Sequence, residues 1–129
     1  MRWCGRTLLK TPIRYGLCMS QKDFDVALTK LGLEPEPWVR EGDAALTHII
    51  TNGNKVSVVV CLATPSSTET LEQTYGTLVH EAVHVWQEIR EYIGEQRAGN
   101  EQEAYCVEQI AYNLMSEYRK LMEKKRARR

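Results

Sequence analysis

The chain has 129 residues, of which 43% are hydrophobic and 26% are charged. This length predicts a single domain over residues 1–129, and the composition argues against an intrinsically disordered chain. The 17 basic and 17 acidic residues cancel, which does not favour a dedicated nucleic-acid-binding protein. Seven basic residues and one acidic residue fall within 119–129, so a body of ten basic and sixteen acidic residues carries a cationic tail.

The cysteines and the start of the chain bear on the cellular compartment. None of the four cysteines forms a C-x-x-C pair, so free thiols are expected, with a Cys4–Cys18 disulfide as the alternative. The first residues lack the apolar segment of a signal peptide. No apolar run approaches the roughly 20 residues that cross a membrane. These features predict a cytoplasmic protein without membrane spans.

The first predicted elements are a short strand and a helix. The strand falls near residues 7–9 or 13–18. Ser20 and Asp23 form an N-cap signature, and the apolar residues that follow at helical spacing predict a helix over 21–31. Prolines in the next segment predict a loop over residues 32–43.

A hairpin and two helices complete the predicted domain. Asn52-Gly53 separates two β-rich runs, which predicts strands over 45–51 and 55–62. Apolar residues at a period of 3.6 predict a long helix over 71–93 and a last helix from after Asn100 to about Met122. The order of helix, hairpin, helix and helix indicates a small α+β domain.

The long helix contains the motif with the clearest chemistry, H-E-x-x-H at residues 80–84. His80 and His84 are four residues apart, so both imidazoles lie on one face of the helix, opposite its apolar stripe, and can bind one metal ion. Glu81 can take a proton from a zinc-bound water without binding the metal itself. The alternative is a pair of exposed histidines on an ordinary amphipathic helix.

A catalytic zinc site needs a third protein ligand. No histidine follows His84, so this ligand must be His48, a carboxylate or a cysteine. Glu103 is the best candidate, because it aligns with the apolar residues of the last helix and an unpaired buried carboxylate is costly. Asn100 and Glu103 also fit a capping box, which is the competing interpretation. Glu95 is the second choice as a ligand.

The HEAVH motif followed by Glu103-Ala104 resembles the gluzincins, especially the compact minigluzincin and ImmA/IrrE-like peptidases. It is also similar to small phage or prophage proteins with an HEAVH and a later EAY. This resemblance implies a zincin-like domain, in which a hairpin packs on the HExxH helix beside a glutamate helix. It implies a Zn²⁺-dependent peptidase in which His80, His84 and Glu103 bind the metal and Glu81 is the general base.

Further roles in such a peptidase have weaker candidates. The candidates for stabilising the transition state are His48, Tyr75, Tyr105 and Tyr112. Packing is the default role of these side chains. In gluzincins an edge strand binds an extended peptide substrate, which the resemblance places along the strand over 55–62 or along its hairpin partner. On the strand over 55–62, the substrate-binding residues would be Val56, Val58 and Val60.

Other interpretations remain open. The protein could be a non-catalytic zinc-binding protein in which Cys61 or Cys106 closes the metal site as a fourth ligand. It could also be a phage or prophage interaction protein that keeps the gluzincin fold and does not turn over a substrate. The basic tail could contact nucleic acid or an acidic partner, whereas its plainer interpretation is a solvated helix end. The sequence does not identify the peptide or protein substrate or the oligomeric state.

Overall fold

A computed structural model describes residues 1–4, 13–94 and 99–128. Its elements, in chain order, are β1 (Trp3–Cys4), β2 (Ile13–Cys18), α1 (Gln21–Lys30), β3 (Ala45–Asn52), β4 (Lys55–Leu62), α2 (Leu71–Tyr92) and α3 (Asn100–Ala127). The predicted α+β class is confirmed, and the strand predicted near 13–18 is β2. The alternative strand near 7–9 and the candidate ligand Glu95 lie outside the described residues.

The sheet is mixed, with the strand order β1-β2-β4-β3. β3 and β4 form the predicted antiparallel hairpin, in which Asn52 pairs with Lys55. The turn residues are therefore Gly53 and Asn54, one position later than predicted. Gly53 has a φ of 61°, and glycine is favoured at the first turn position when φ there is positive. β2 lies parallel to β4 on its other side, so β4 is an inner strand.

Two hydrophobic clusters cover the two faces of the sheet. Val58 and Val60 of β4 pack in the cluster that also holds the buried residues of α2 and α3. Val59 and Cys61, which alternate with them, pack in the cluster with α1. β4 is thus buried on both faces, and a nearly continuous apolar run is typical of such strands.

The helix ends follow from local side-chain chemistry. Ser20 caps α1, because its hydroxyl accepts from the Asp23 backbone N–H at 3.1 Å. Thr70 and Gln73 form a reciprocal capping box at the start of α2, which the sequence analysis missed. α3 continues past the predicted end near Met122, and its last turn is rich in lysine and arginine, which favour a helix C-terminus. None of the described helices is long and apolar enough to cross a membrane.

Candidate functional site

The two histidines of the HExxH motif lie together on the outer face of α2. His80 and His84 are exposed, whereas residues on the opposite face of the same helix, including Trp86 and Ile89, are buried in the core. The Nε2 atoms of the two imidazoles are 3.2 Å apart, so in the metal-free chain one ring donates a hydrogen bond to the other. The predicted orientation of the motif, with both rings directed away from the core, is therefore correct.

A cavity of about 350 Å³ lies between this face of α2 and strand β3. Both histidines line it together with Glu81, and a second cavity of about 410 Å³ shares His80 and Glu81. Asp43 lines both cavities and forms a salt bridge of 3.1 Å with Arg40. Arg40 thus offsets one of the three carboxylates lining the first cavity, which leaves that cavity a net negative charge that suits a cation.

Gln87 is the hydrogen-bond partner of His84 on its Nδ1 side. The Nδ1 atom of His84 is 3.1 Å from the Oε1 atom of Gln87. With this oxygen as the acceptor, Nδ1 is the donor, and Nε2 of His84 accepts from Nε2–H of His80. This tautomer is the one that a metal ligand needs when it binds through Nε2, and an outer partner on Nδ1 is typical of such ligands.

Glu81 is buried, with 6% of its surface exposed. Its Oε2 atom accepts a hydrogen bond from the hydroxyl of Thr47 on β3. Because Glu81 also lines both cavities, its carboxylate is anchored on one side and faces open space on the other. This is the placement expected of a general base beside a bound water.

Glu103 is not part of this arrangement. It lies in the first turn of α3, is exposed, and its Oε2 accepts a hydrogen bond of 2.9 Å from the indole Nε1–H of Trp86. Within residues 1–4, 13–94 and 99–128, no three His, Cys, Asp or Glu side chains are grouped closely enough to hold a metal ion. The histidine pair is therefore formed, and a three-ligand set is not.

Glu103 does not form the competing capping box with Asn100 either. The N-cap of α3 is Gly99, and no side chain caps this end. Asn100, the predicted cap, is instead the first helical residue. The first turn of α3 thus has no side-chain cap, and the carboxylate of Glu103 is used by Trp86.

His48 has a structural role on the other face of the sheet. Its Nε2 atom is 2.8 Å from the carbonyl oxygen of Trp38, and its Nδ1 atom is 3.3 Å from a carboxylate oxygen of Glu36. Its ring packs on Phe24 at a centroid distance of 4.5 Å. Both nitrogens are occupied, and His48 does not line either cavity at His80.

The tyrosine candidates lie away from the histidine pair. Tyr105 and Tyr112 are exposed on α3, and Tyr75 packs edge-on against Tyr118 at a centroid distance of 6.4 Å. None of them lines the two cavities at His80 among the residues that the structure describes. The structure therefore brings no tyrosine candidate to this site.

The expected substrate strand requires a correction. β4, which carries Val56, Val58 and Val60, pairs with β2 on one edge and with β3 on the other, so it has no free edge to which a peptide could add. Val58 and Val60 are also fully buried. The edge strand beside α2 is β3, the hairpin partner, in the described part of the sheet.

The cysteines proposed to close the site are buried elsewhere. Cys61 packs in the cluster beside α1, and Cys106 packs in the core between the sheet and α3. All four cysteines are free, so the Cys4–Cys18 disulfide is absent. Cys18 instead lies beside Cys61 in the parallel ladder.

Sequence reasoning missed Thr47 and Gln87. Gln87 follows His84 by three residues, a spacing that brings side chains together on a helix, so it could have been found. Thr47 is far from Glu81 in sequence, and only the packing of β3 against α2 brings the two together.

Comparison with protein-family models, curated proteins and solved structures finds no match to this chain.

Proposed function

We propose that this chain is a zinc-dependent metallopeptidase of the zincin type. The observation that carries the proposal is the separation of 3.2 Å between the Nε2 atoms of His80 and His84. Two nitrogens on one tetrahedral zinc ion, each about 2.0–2.1 Å from the metal, lie about 3.3 Å apart. The helix therefore presents the two imidazoles at nearly the spacing that one zinc ion requires, beside a cavity with net negative charge.

The third ligand proposed is Glu103. Trp86 holds its Oε2 atom, so Glu103 would have to move to reach the histidine pair. Asp43 and Glu88 already line the cavity at His80 and His84, and they are the carboxylates to test if Glu103 is dispensable. Burial, together with the charge of Glu91, raises the pKa of Glu88 above its ordinary value, which disfavours its charged form in the free protein.

Glu81 is the proposed general base of the reaction. A zinc ion held by the histidines would polarise the scissile carbonyl and lower the pKa of a water molecule. Glu81 would take a proton from the attacking water and deliver it to the departing amine nitrogen. Its burial and its bond to Thr47 support this role because they fix the carboxylate at the cavity wall.

An extended peptide is the proposed substrate. β3 is the edge strand beside the histidine pair, and Thr47 and Ile49 line the cavity. Ile49 is half exposed. A peptide added to this edge would lie along the cavity with its backbone hydrogen bonds supplied by β3.

The alternative is a non-catalytic zinc-binding phage or prophage interaction protein. One observation favours it: no three-ligand group is assembled in the described residues. In that case the histidine pair would bind a metal together with a group from a partner protein.

Glu81→Gln tests the proposed function. Zinc-loaded wild type is expected to cleave members of a mixed pool of internally quenched peptides. Glu81→Gln should bind the same amount of zinc and lose at least about 100-fold in rate, since it removes the proton carrier. Glu72→Gln, an exposed position on the same helix, is the matched control and should remain active. Zinc binding without cleavage by the wild type would support the non-catalytic alternative, and full activity of Glu81→Gln would refute the mechanism.

A further inference from the structure

The contact between β3 and Glu81 has a consequence for catalysis. Thr47 is half-buried on the edge strand, and its hydroxyl donates to Oε2 of Glu81 across the gap between sheet and helix. The two residues are 34 positions apart in the sequence. In the described part of the chain, this is the hydrogen bond that ties the Glu81 side chain to the sheet.

The backbone of Thr47 is rigidly placed. Thr47 pairs with Val60 in the middle of the antiparallel ladder, and Val60 is fully buried in the core. A β-branched side chain in a strand has restricted rotamers. The hydroxyl is therefore presented from a fixed position, whereas Glu81 has a long side chain that would otherwise sample several rotamers.

The hydrogen bond from Thr47 also gives the two carboxylate oxygens of Glu81 different surroundings. Oε2 is the acceptor for Thr47, whereas Oε1 has no hydrogen-bond partner in the described ranges. Both cavities at His80 reach Glu81, so a water molecule in either one can approach the carboxylate. One oxygen anchors the side chain, and the other is left to exchange a proton.

We propose that Thr47 is the positioning residue of Glu81. It holds one carboxylate oxygen against β3, so that the other oxygen stays directed to the water and to the leaving amine during peptide hydrolysis. This inference rests on the proposed peptidase function. It adds to that function a residue on the edge strand that would align the general base.

The bond itself can be tested without metal or substrate. In the presence of a chelator, Thr47→Val should lower the melting temperature by about 4 °C or more, because it leaves a buried carboxylate oxygen without its donor. In a Glu81→Leu background the same substitution should cause no loss. Thr47→Ser keeps the hydroxyl and should stay close to wild type. Equal shifts of Thr47→Val in both backgrounds would overturn the inference.

The catalytic role needs a separate measurement. Thr47→Val should lower kcat by about 10–100-fold and leave KM within about twofold, since the base is misplaced and the substrate is still bound. Thr47→Ser should restore most of kcat. Thr29→Val, at an exposed threonine of α1 away from both cavities, is the matched control and should behave as wild type.

The outcomes separate the two proposals. An active wild type whose kcat is unchanged in Thr47→Val would overturn the role of Thr47 and leave the peptidase standing. A zinc-loaded wild type that cleaves no peptide would overturn the proposed function and the catalytic role of Thr47 together. A fall in kcat with rescue by serine, combined with the melting-temperature coupling to Glu81, would support both.

Discussion

Replacing Glu103 with alanine separates a structural role of this carboxylate from a metal-binding one. In the described part of the chain, the Glu103 side chain makes one hydrogen bond. The indole N–H of Trp86 donates to its Oε2 atom at 2.9 Å. Trp86 is 1% exposed, so Glu103→Ala leaves its indole N–H with water as the remaining partner at the position of Glu103. The same change removes a negative charge from the first turn of α3.

The expected loss follows from these two contributions. A hydrogen bond to a charged group contributes about 1.5–3 kcal/mol, and the exposure of Glu103 to water reduces this to about 1–1.5 kcal/mol. The charge at the helix start adds about 0.3–1 kcal/mol. With an unfolding entropy of about 2.1 cal/mol/K for each of 129 residues, the total of about 1.3–2.5 kcal/mol lowers Tm by roughly 5–9 °C.

Thermal unfolding in a chelator is the assay, with Glu101→Ala as the matched control. Glu101 is also exposed and acidic in the first turn of α3, so its replacement loses the charge alone, about 0.3–1 kcal/mol. In a Trp86→Phe background, Glu103→Ala should cost no more than this control. If Glu103→Ala costs the same as Glu101→Ala in the wild-type background, the bond to Trp86 does not stabilise the protein and the reasoning is refuted.

Three further predictions concern the rest of the fold. Gly76→Ala in α2 should stabilise the protein by about 0.5–1 kcal/mol in urea unfolding, because an added Cβ would meet no atom within 4 Å; a destabilised variant would contradict this. Ile110→Ala should cost about 2–5 kcal/mol in the same assay, since Ile110 is fully buried in the main core, and a loss below 1 kcal/mol would mean that the core is loosely packed there. Burial raises the pKa of Tyr15 to about 12, so the unfolded chain ionises first and stability should fall between about pH 10 and pH 12. Tyr15→Phe should flatten the fall in that range, and an unchanged pH profile would contradict the assignment.

Local signals in the sequence predicted much of the fold. The N-cap at Ser20, the hairpin at residues 45–62 and the apolar stripe of α2 each depend on neighbours within a few positions. The same apolar stripe predicted that His80 and His84 point away from the core, because successive residues of a helix are rotated by a constant angle. These features were confirmed because nearby residues alone determine them.

The features that failed depend on contacts between distant segments. The parallel pairing of β2 with β4 makes β4 an inner strand, and nothing within residues 55–62 indicates this partner. Glu103 aligns with the apolar residues of α3, yet it lies in the first turn, where the helix begins and the side chain remains exposed. Its partner Trp86 comes from the packing of α2 on α3. Periodicity describes the face of a helix and does not show where along its length the core begins.

The zinc content of the purified wild-type chain, measured beside that of His84→Ala and Glu103→Ala, decides whether the proposed metal site exists. We expect about one zinc ion per wild-type chain and loss of the metal in both variants, with circular dichroism confirming that each variant is folded. A wild type that binds no zinc would contradict the proposed metallopeptidase. Full retention of zinc by Glu103→Ala would contradict its role as the third ligand and direct attention to Asp43 and Glu88 at the cavity.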